Sequence, residues 1–191
     1  MSVDLREQVL LASVELIGEA GLGGLSMREV ARRAGVSHQA PYHYFGDKAA
    51  IVAALVGRGF GMLAERLEEA AAGAGEVTER LERVGRAYVH FALEEPVYFR
   101  LLFRLEVGDL GRYPEVEAAG ARAFGVLERL VAEKAGAGAS QGEREALASL
   151  HWSVAHGLAT LLVDGNLGLK LGTRSAQEGH VDEVLRLFGR R

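Results

Sequence analysis

Residues 38–44, His-Gln-Ala-Pro-Tyr-His-Tyr, gather groups that exchange hydrogen bonds with the edges of bases. Two imidazoles, a primary amide and two phenols fall within seven positions. At about 100° per residue, positions 38, 39, 42 and 43 form one helical face. A glutamine amide can pair in both directions with adenine, and imidazole and phenol groups reach base edges or phosphate oxygens. A helix with such a face fits the major groove of B-DNA. The chain as a whole carries a net charge of −4 at pH 7. Over 26–48, however, Arg28, Arg32, Arg33 and Lys48 stand against only Glu29 and Asp47. Positive charge therefore gathers on the segment that would meet phosphate.

That face needs elements to hold it. Ser26 is placed to cap a helix, with Glu29 three residues on to return to the Ser26 amide, and Leu25 with Val30 can close a hydrophobic staple. Ala34-Gly35-Val36-Ser37 supplies an end: glycine takes the left-handed backbone, Val36 fills the angle, and Ser37 caps a second helix over 38–44. Two short helices joined by a tight turn result. Pro41 lacks an amide proton and disfavours helical geometry at Ala40, which predicts a distorted or tighter first turn. Ahead of this pair, Asp4 and Glu7 form another capping pattern, and Leu5, Val9, Ala12, Leu16 and Ile17 make an apolar stripe that ends at glycines 21–24. Phe45 is assigned to the core.

With 191 residues, the chain can hold one small headpiece and one modest helical core. It has three prolines, is rich in Ala, Leu, Glu and Arg, and shows no period-two alternation, which predicts an all-α protein. Asp47 caps a long fourth helix through Ala49, Ile51, Leu55, Phe60 and Leu67, interrupted by Gly57, Gly59 and Gly61. Each glycine weakens a helix by about 1 kcal/mol relative to alanine, so these three mark either a soft point or a place of close packing. Further helices are expected over 77–94, 97–107, 113–134, 142–163 and 180–189, with loops at 72–75, 136–139 and 165–179.

Several chemistries lack their residues. There is no cysteine, hence no disulfide, thiol nucleophile or redox sensor. His151 and His156 are five apart, about 140° around a helix, and cannot share a metal as an i, i+4 pair does. The segment from Asp164 begins like a calcium loop, but Leu169 stands where glycine is needed and Ser175 where the bidentate glutamate belongs. Neither nucleotide-binding glycine pattern occurs, and nothing sets a base and its orienting carboxylate around a nucleophile. No catalytic residue, metal or cofactor is expected. The N-terminus lacks a signal pattern, and no apolar run is read as approaching the roughly 18 residues needed to cross a bilayer. A cytoplasmic protein without a membrane partner is the expectation.

The second half carries Tyr88, His90, Phe91, Tyr98, Phe99, Phe103, Phe124, Trp152 and His156 on otherwise apolar helices. These are either core groups with a satisfied hydrogen bond or the lining of a mostly apolar cavity with a few polar anchors. In the second case Trp152 and His156 are the best anchors, and Tyr88, Phe91, Tyr98, Phe99, Phe103 and Phe124 the lining. Leu147, Leu150, Val154, Leu158 and Leu161 make a stripe, with Ser153 and Gly157 as a small surface nearby. Val181, Val184, Leu185 and Phe188 make another. Either these stripes cover the subunit's own core, or they meet a second copy.

The run A-R-R-A-G-V-S-H-Q-A-P-Y-H-Y-F-G-D-K-A-A-I, 31–51, resembles the TetR-type family of bacterial transcription regulators, and the likeness extends over roughly residues 5–55. Pro41 replaces the family's usual leucine or isoleucine, and Ala49-Ala50 its acidic pair. H-W-S-V-A-H-G-L-A-T-L-L-V-D-G, 151–165, is similar to the segment that names the WHG subgroup, through Trp152, His156 and Gly157. The resemblance implies a three-helix helix-turn-helix DNA-binding headpiece over 1–48. It also implies a helical-bundle effector-binding and dimerisation domain over 49–191. By the family pattern His38, Gln39, Ala40 and Tyr42 meet base edges, and Arg28, Ser37, His43, Tyr44 and Lys48 fix phosphates. The last two helices, with Leu150, Ser153, Val154, Gly157, Leu158, Leu161, Val181, Val184, Leu185 and Phe188, pair across a two-fold axis. The implied function is a homodimeric repressor on double-stranded palindromic DNA, released by a small apolar effector. A helical-bundle enzyme and an effector-less DNA-binding structural protein are the alternatives.

Overall fold

A computed structural model describes residues 4–103 and 112–190. They form helices joined by short turns, with no strand among the described residues. Two compact units divide the chain: 1–59 with 97–118, and 60–96 with 119–191.

In the first unit, α1 (Leu5–Ala20) begins where Asp4 Oδ1 accepts from the Arg6 amide at 3.0 Å. Glu7 does not return to the cap; its carboxylate takes both arms of the Arg58 guanidinium. Val9, Leu10, Ala12, Leu16 and Ile17 turn inward, whereas Leu5, expected in that stripe, is 42% exposed in the first turn. Gly21, at φ +68°, stops the helix, and a 3-10 turn, Leu22–Gly24, follows. α2 (Met27–Ala34) starts with Ser26 Oγ accepting from the Glu29 amide at 3.2 Å, but the Glu29 side chain pairs with Arg32 instead of closing the capping box. Gly35 takes the left-handed conformation (φ +66°, ψ 26°), and the Val36 amide reaches back to Ala31 O at 3.1 Å. This is the αL stop that only glycine adopts cheaply.

The second reading helix starts later than expected. α3 is Ala40–Phe45, and residues 37–39 form a turn in which the Ala40 amide donates to Ser37 O at 3.0 Å. Ser37 thus contributes its carbonyl, not a side-chain cap. Pro41 explains the shift, since it sits in the first turn of α3, where a missing N–H leaves nothing unpaired. α4 (Lys48–Ala72) opens with Asp47 Oδ1 accepting from the Ala50 amide at 2.8 Å and continues as helix through all three glycines. The division between units falls within it, after Gly59. α6 is Pro96–Leu102, and the rest of the helix expected over 97–107 lies largely outside the described residues.

In the second unit, α5 (Val77–Glu94) is closed by a capping box between Glu76 and Glu79. It packs against α8 (Gln141–Val163) and α10 (Arg174–Gly189), while α7 (Pro114–Ala135) supplies Ala123, Val126, Leu130 and Val131 to the core. Gly85 lets α10 in, for a Cβ there would stand 3.1 Å from Leu185 Cδ2. Residues 165–179, expected as loop, instead hold α9 (Asn166–Leu171) and the first turns of α10, capped by Thr173 Oγ1 on the Ala176 amide. The expectation about apolar runs is also corrected. Residues 146–163 contain no Asp, Glu, Lys or Arg, and α8 is long and apolar enough to cross a membrane by length and composition. Only 22% of that stretch is buried in the chain alone.

Candidate nucleic-acid interface and aromatic cluster

Around α3, Ser37, His38, Gln39, Tyr42, His43 and Tyr44 are all exposed, Tyr42 at 45% and Tyr44 at 40%. The His38 and Tyr42 rings lie side by side at 5.8 Å, and His43 meets Tyr44 edge-on at 5.1 Å. Ala40 and Pro41 are buried, so Ala40 is corrected from a base-edge group to a packing group. They seat the short helix and leave its polar face outward. Phe45, assigned to the core, is only half-buried, with the Arg6 guanidinium over its ring at 5.1 Å.

The cations divide by partner. Arg32 is held by Glu29, and Arg33 by Glu19 and Glu15, contacts that keep the carboxyls of Glu29 and Glu19 below their ordinary values. Arg28 is exposed and has no carboxylate partner among the described residues. Lys48 Nζ donates to Leu22 O at 2.8 Å, which orients the ammonium and leaves two of its three protons for other acceptors.

In the second unit, four of the aromatic candidates come together. Tyr88, 6% exposed on α5, places its hydroxyl 2.8 Å from His156 Nδ1 and accepts from Trp152 Nε1 at 3.4 Å. Phe124 of α7 meets the Trp152 ring edge-on at 5.0 Å. Burial pushes the Tyr88 phenol well above its ordinary value and His156 below the usual histidine value. Phe91 is fully buried beneath Arg66 at 5.5 Å and serves as core. Tyr98, Phe99 and Phe103 belong to the first unit, where Phe99 and Phe103 meet edge-on at 5.5 Å. A cleft of about 230 Å³ in that unit is lined by Ile17, Gly18, Gly21, Val97, Arg100 and Leu101, which were not among the sequence candidates. Among the described residues, no group of three or more His, Asp or Glu is placed to hold a metal.

The expected dimer residues split into two sets. Leu150 and Leu161 are 49% and 48% exposed, Ser153 is exposed, and Val154, Gly157, Val184 and Phe188 are half-buried. Leu158, Val181 and Leu185 are 6%, 0% and 5% exposed, which places them in the subunit's own core where α8 and α10 pack on α5. Leu187, not anticipated, is 50% exposed. His151 lies edge-on to Phe188 at 4.9 Å and bonds Leu147 O through Nδ1 at 2.9 Å.

Burial holds both His151 and His156 below their ordinary value of 6.5, so the unfolded chain takes up protons first as pH falls. Their contribution to stability is complete above about 6.5 and is lost as pH falls toward the lower folded values. The urea midpoint is therefore expected to be lower at about pH 5.5 than at about pH 7.5. Replacing both histidines with glutamine should flatten that window, and an undiminished pH dependence would assign it to other groups.

Comparison with known proteins adds to this geometry. Residues 9–55 match the family described as bacterial regulatory proteins, tetR family. Residues 81–184, more than half of the chain and including Trp152, His156 and Gly157, match the tetracyclin repressor-like C-terminal domain. The HTH-type transcriptional regulator BetI of Pseudomonas fluorescens is 38% identical over 60 residues, a stretch covering 31% of this chain and 30% of BetI. A protein of unknown function from Rhodococcus sp. RHA1 is 30% identical, with 98% of this chain and 93% of that one covered at a TM-score of 0.78. The regulator FadR from Bacillus subtilis, solved with stearoyl-CoA, shares the fold at 18% identity and a TM-score of 0.73, over 95% of this chain and 96% of that one. With a helix-turn-helix match over 9–55 and a matching helical domain over 81–184, the chain belongs to the TetR family of transcription regulators.

Proposed function

We propose that this regulator is a homodimeric repressor that reads a palindromic operator through α3 and leaves it when a small apolar ligand binds the second unit. The observation that carries the DNA half is the outward face of His38, Gln39, Tyr42 and His43, held by buried Ala40 and Pro41. His38, Gln39 and Tyr42 read base edges, and Arg28, Ser37, His43, Tyr44 and Lys48 position the phosphates. The functional division falls at 1–48 for DNA and 49–191 for effector and partner. The exposed apolar face of α8 supports dimerisation, the usual assembly of the family. The ligand half is supported by the aromatic cluster and by the stearoyl-CoA held by FadR, a protein of the same fold. A regulator of this kind works where the chromosome lies, in the cytoplasm.

The test is selection of binding sites from random duplexes with the full chain, followed by anisotropy titrations. Gln39→Ala is expected to relax preference at one base pair per half-site by roughly 1–3 kcal/mol. Arg28→Ala should weaken all sequences alike and flatten the salt dependence by about 0.9 unit per phosphate contact, hence just under two for a dimer. No enriched palindrome, or an unchanged salt slope together with unchanged base preference, would remove α2 and α3 from the interface.

A further inference from the structure

Two imidazoles stand exposed on the face of α3 that the proposed function turns to DNA, those of His38 and His43. Histidine is the side chain whose charge ordinarily changes between about pH 5 and 8, so the anions around it decide what a proton there can gain. Tyr42 lies beside His38 at 5.8 Å, and Tyr44 stands edge-on to His43 at 5.1 Å. The elements packed on α3 are α1 and α2, and their carboxylates are engaged elsewhere. Asp4 accepts from the Arg6 amide, Glu7 holds Arg58, Glu15 and Glu19 hold Arg33, and Glu29 holds Arg32. Asp47, which follows α3, accepts from the Ala50 amide. The remaining charges of this region are cationic: Arg6 over the Phe45 ring, exposed Arg28, and Lys48 at the start of α4. No carboxylate bonds either imidazole among the described residues, so an added proton finds its counter-charge on nucleic acid and not within the headpiece.

A neutral imidazole offers one donor and one acceptor, whereas an imidazolium donates from both nitrogens and carries a full charge. Its hydrogen bond to a phosphate oxygen is charge-assisted, roughly twice as strong as a neutral one. A nearby anion favours the charged form, so a ring held against DNA keeps its proton to a higher pH than the same ring in the free protein. By linkage the gain in affinity is complete at low pH and is lost as pH rises through the range in which the bound ring deprotonates. Arginine or lysine at either position would be charged throughout; histidine makes the contact conditional. Granted DNA binding through α3, as proposed above, we infer that this regulator takes up protons from solvent on His38 and His43 when it meets DNA, and so binds DNA more tightly as pH falls.

The test uses the full-length protein and a rhodamine-labelled duplex of mixed sequence, about 30 base pairs long, so that no operator has to be known. Anisotropy titrations at about pH 6 and about pH 8, each over a series of salt concentrations, give the affinity and its salt slope. The midpoint at the lower pH is expected about ten-fold or more below that at the higher, with the slope steeper by about 0.9 for each proton taken up at a phosphate contact. The double variant His38→Gln with His43→Gln keeps an amide donor and acceptor at each position but cannot charge, and its two midpoints should agree within roughly two-fold. His43→Arg carries its charge at every pH and should bind at about pH 8 more tightly than the parent, with a smaller difference between the two pH values. Circular dichroism at both pH values checks that each protein is folded. Equal parent midpoints, or a folded double variant that keeps the parent's pH response, would overturn the inference while leaving DNA binding itself intact. Absence of binding at both pH values would remove inference and DNA reading together. A pH response that disappears in the double variant upholds the proton linkage whether or not site selection yields a palindrome, which tests the repressor reading separately.

Discussion

Replacing Leu150 and Leu161 together with glutamate is expected to leave a folded monomer that no longer holds a palindromic operator. Both side chains are about half exposed in the isolated chain, so the new charges need not enter its own core. Ser153 and Gly157 lie between them on α8, and a Cβ at Gly157 would meet nothing within 4 Å, which leaves room for a second helix to approach closely. Fully burying a leucine contributes roughly 1.5–3 kcal/mol, so covering one that is half exposed contributes about half of that, and two-fold symmetry counts each contact twice. Four carboxylates facing one another across the axis reverse that gain. Two headpieces must also stand one helical turn apart, about 34–36 Å or a multiple, to enter successive major grooves, and a monomer has no second headpiece to place. Light scattering and an operator gel shift read both consequences. Leu158→Glu is the contrasting control: at 6% exposure it should unfold the subunit instead of separating two of them. A double variant that stays dimeric would place the interface elsewhere.

That contrast shows where reading the sequence reached its limit. α8 is apolar over 146–163 on nearly every face, so periodicity marked a stripe but could not tell the side that meets α5 from the side left outward. Leu158 lies inside while Leu150 and Leu161, on the same proposed stripe, lie outside. The distinction depends on α5 and α10, which approach from elsewhere in the chain. Val181 and Leu185 of the other stripe lie inside for the same reason.

Local signals did better because their partners are local. Ser26, Gly35 and Asp47 act within three or four residues, and each does what its position in the sequence suggested. The limits of α5 were legible because Gly75 and Glu76 precede it and Pro96 follows it. The start of α10 was not, since 174–180 is polar apart from Ala176 and gives no apolar period; only Thr173 hinted at it. Polar partners far apart were invisible altogether. Glu7 stands at a capping position, but Arg58, the group that takes its carboxylate, lies 51 residues away. Trp152 and His156 were legible as anchors from their type and neighbours, but their junction through the Tyr88 hydroxyl joins α5 to α8 across 64 and 68 residues.

The glycines of α4 give the last expected result, because the structure separates what their spacing left joined. A Cβ at Gly59 would stand 3.0 Å from Leu102 Cδ2 and 3.2 Å from Tyr98 Cδ1, both buried side chains of α6. At Gly61 a Cβ would meet nothing within 4 Å. Gly61→Ala should therefore behave as an ordinary helix substitution and raise stability by up to about 1 kcal/mol, through lower chain entropy in the unfolded state. Gly59→Val forces a branched group against a stiff ring and is expected to cost about 1–3 kcal/mol, since a packed core yields little to added volume. Urea unfolding of the two variants reads the difference. If α4 were instead a soft connector at this point, either substitution would act by stiffening it, and the larger response would appear in the ratio of operator affinities with and without ligand. Opposite shifts in the urea midpoint with that ratio unchanged would assign Gly59 to the packing of α4 on α6, and leave Gly61 as a site where alanine is simply better.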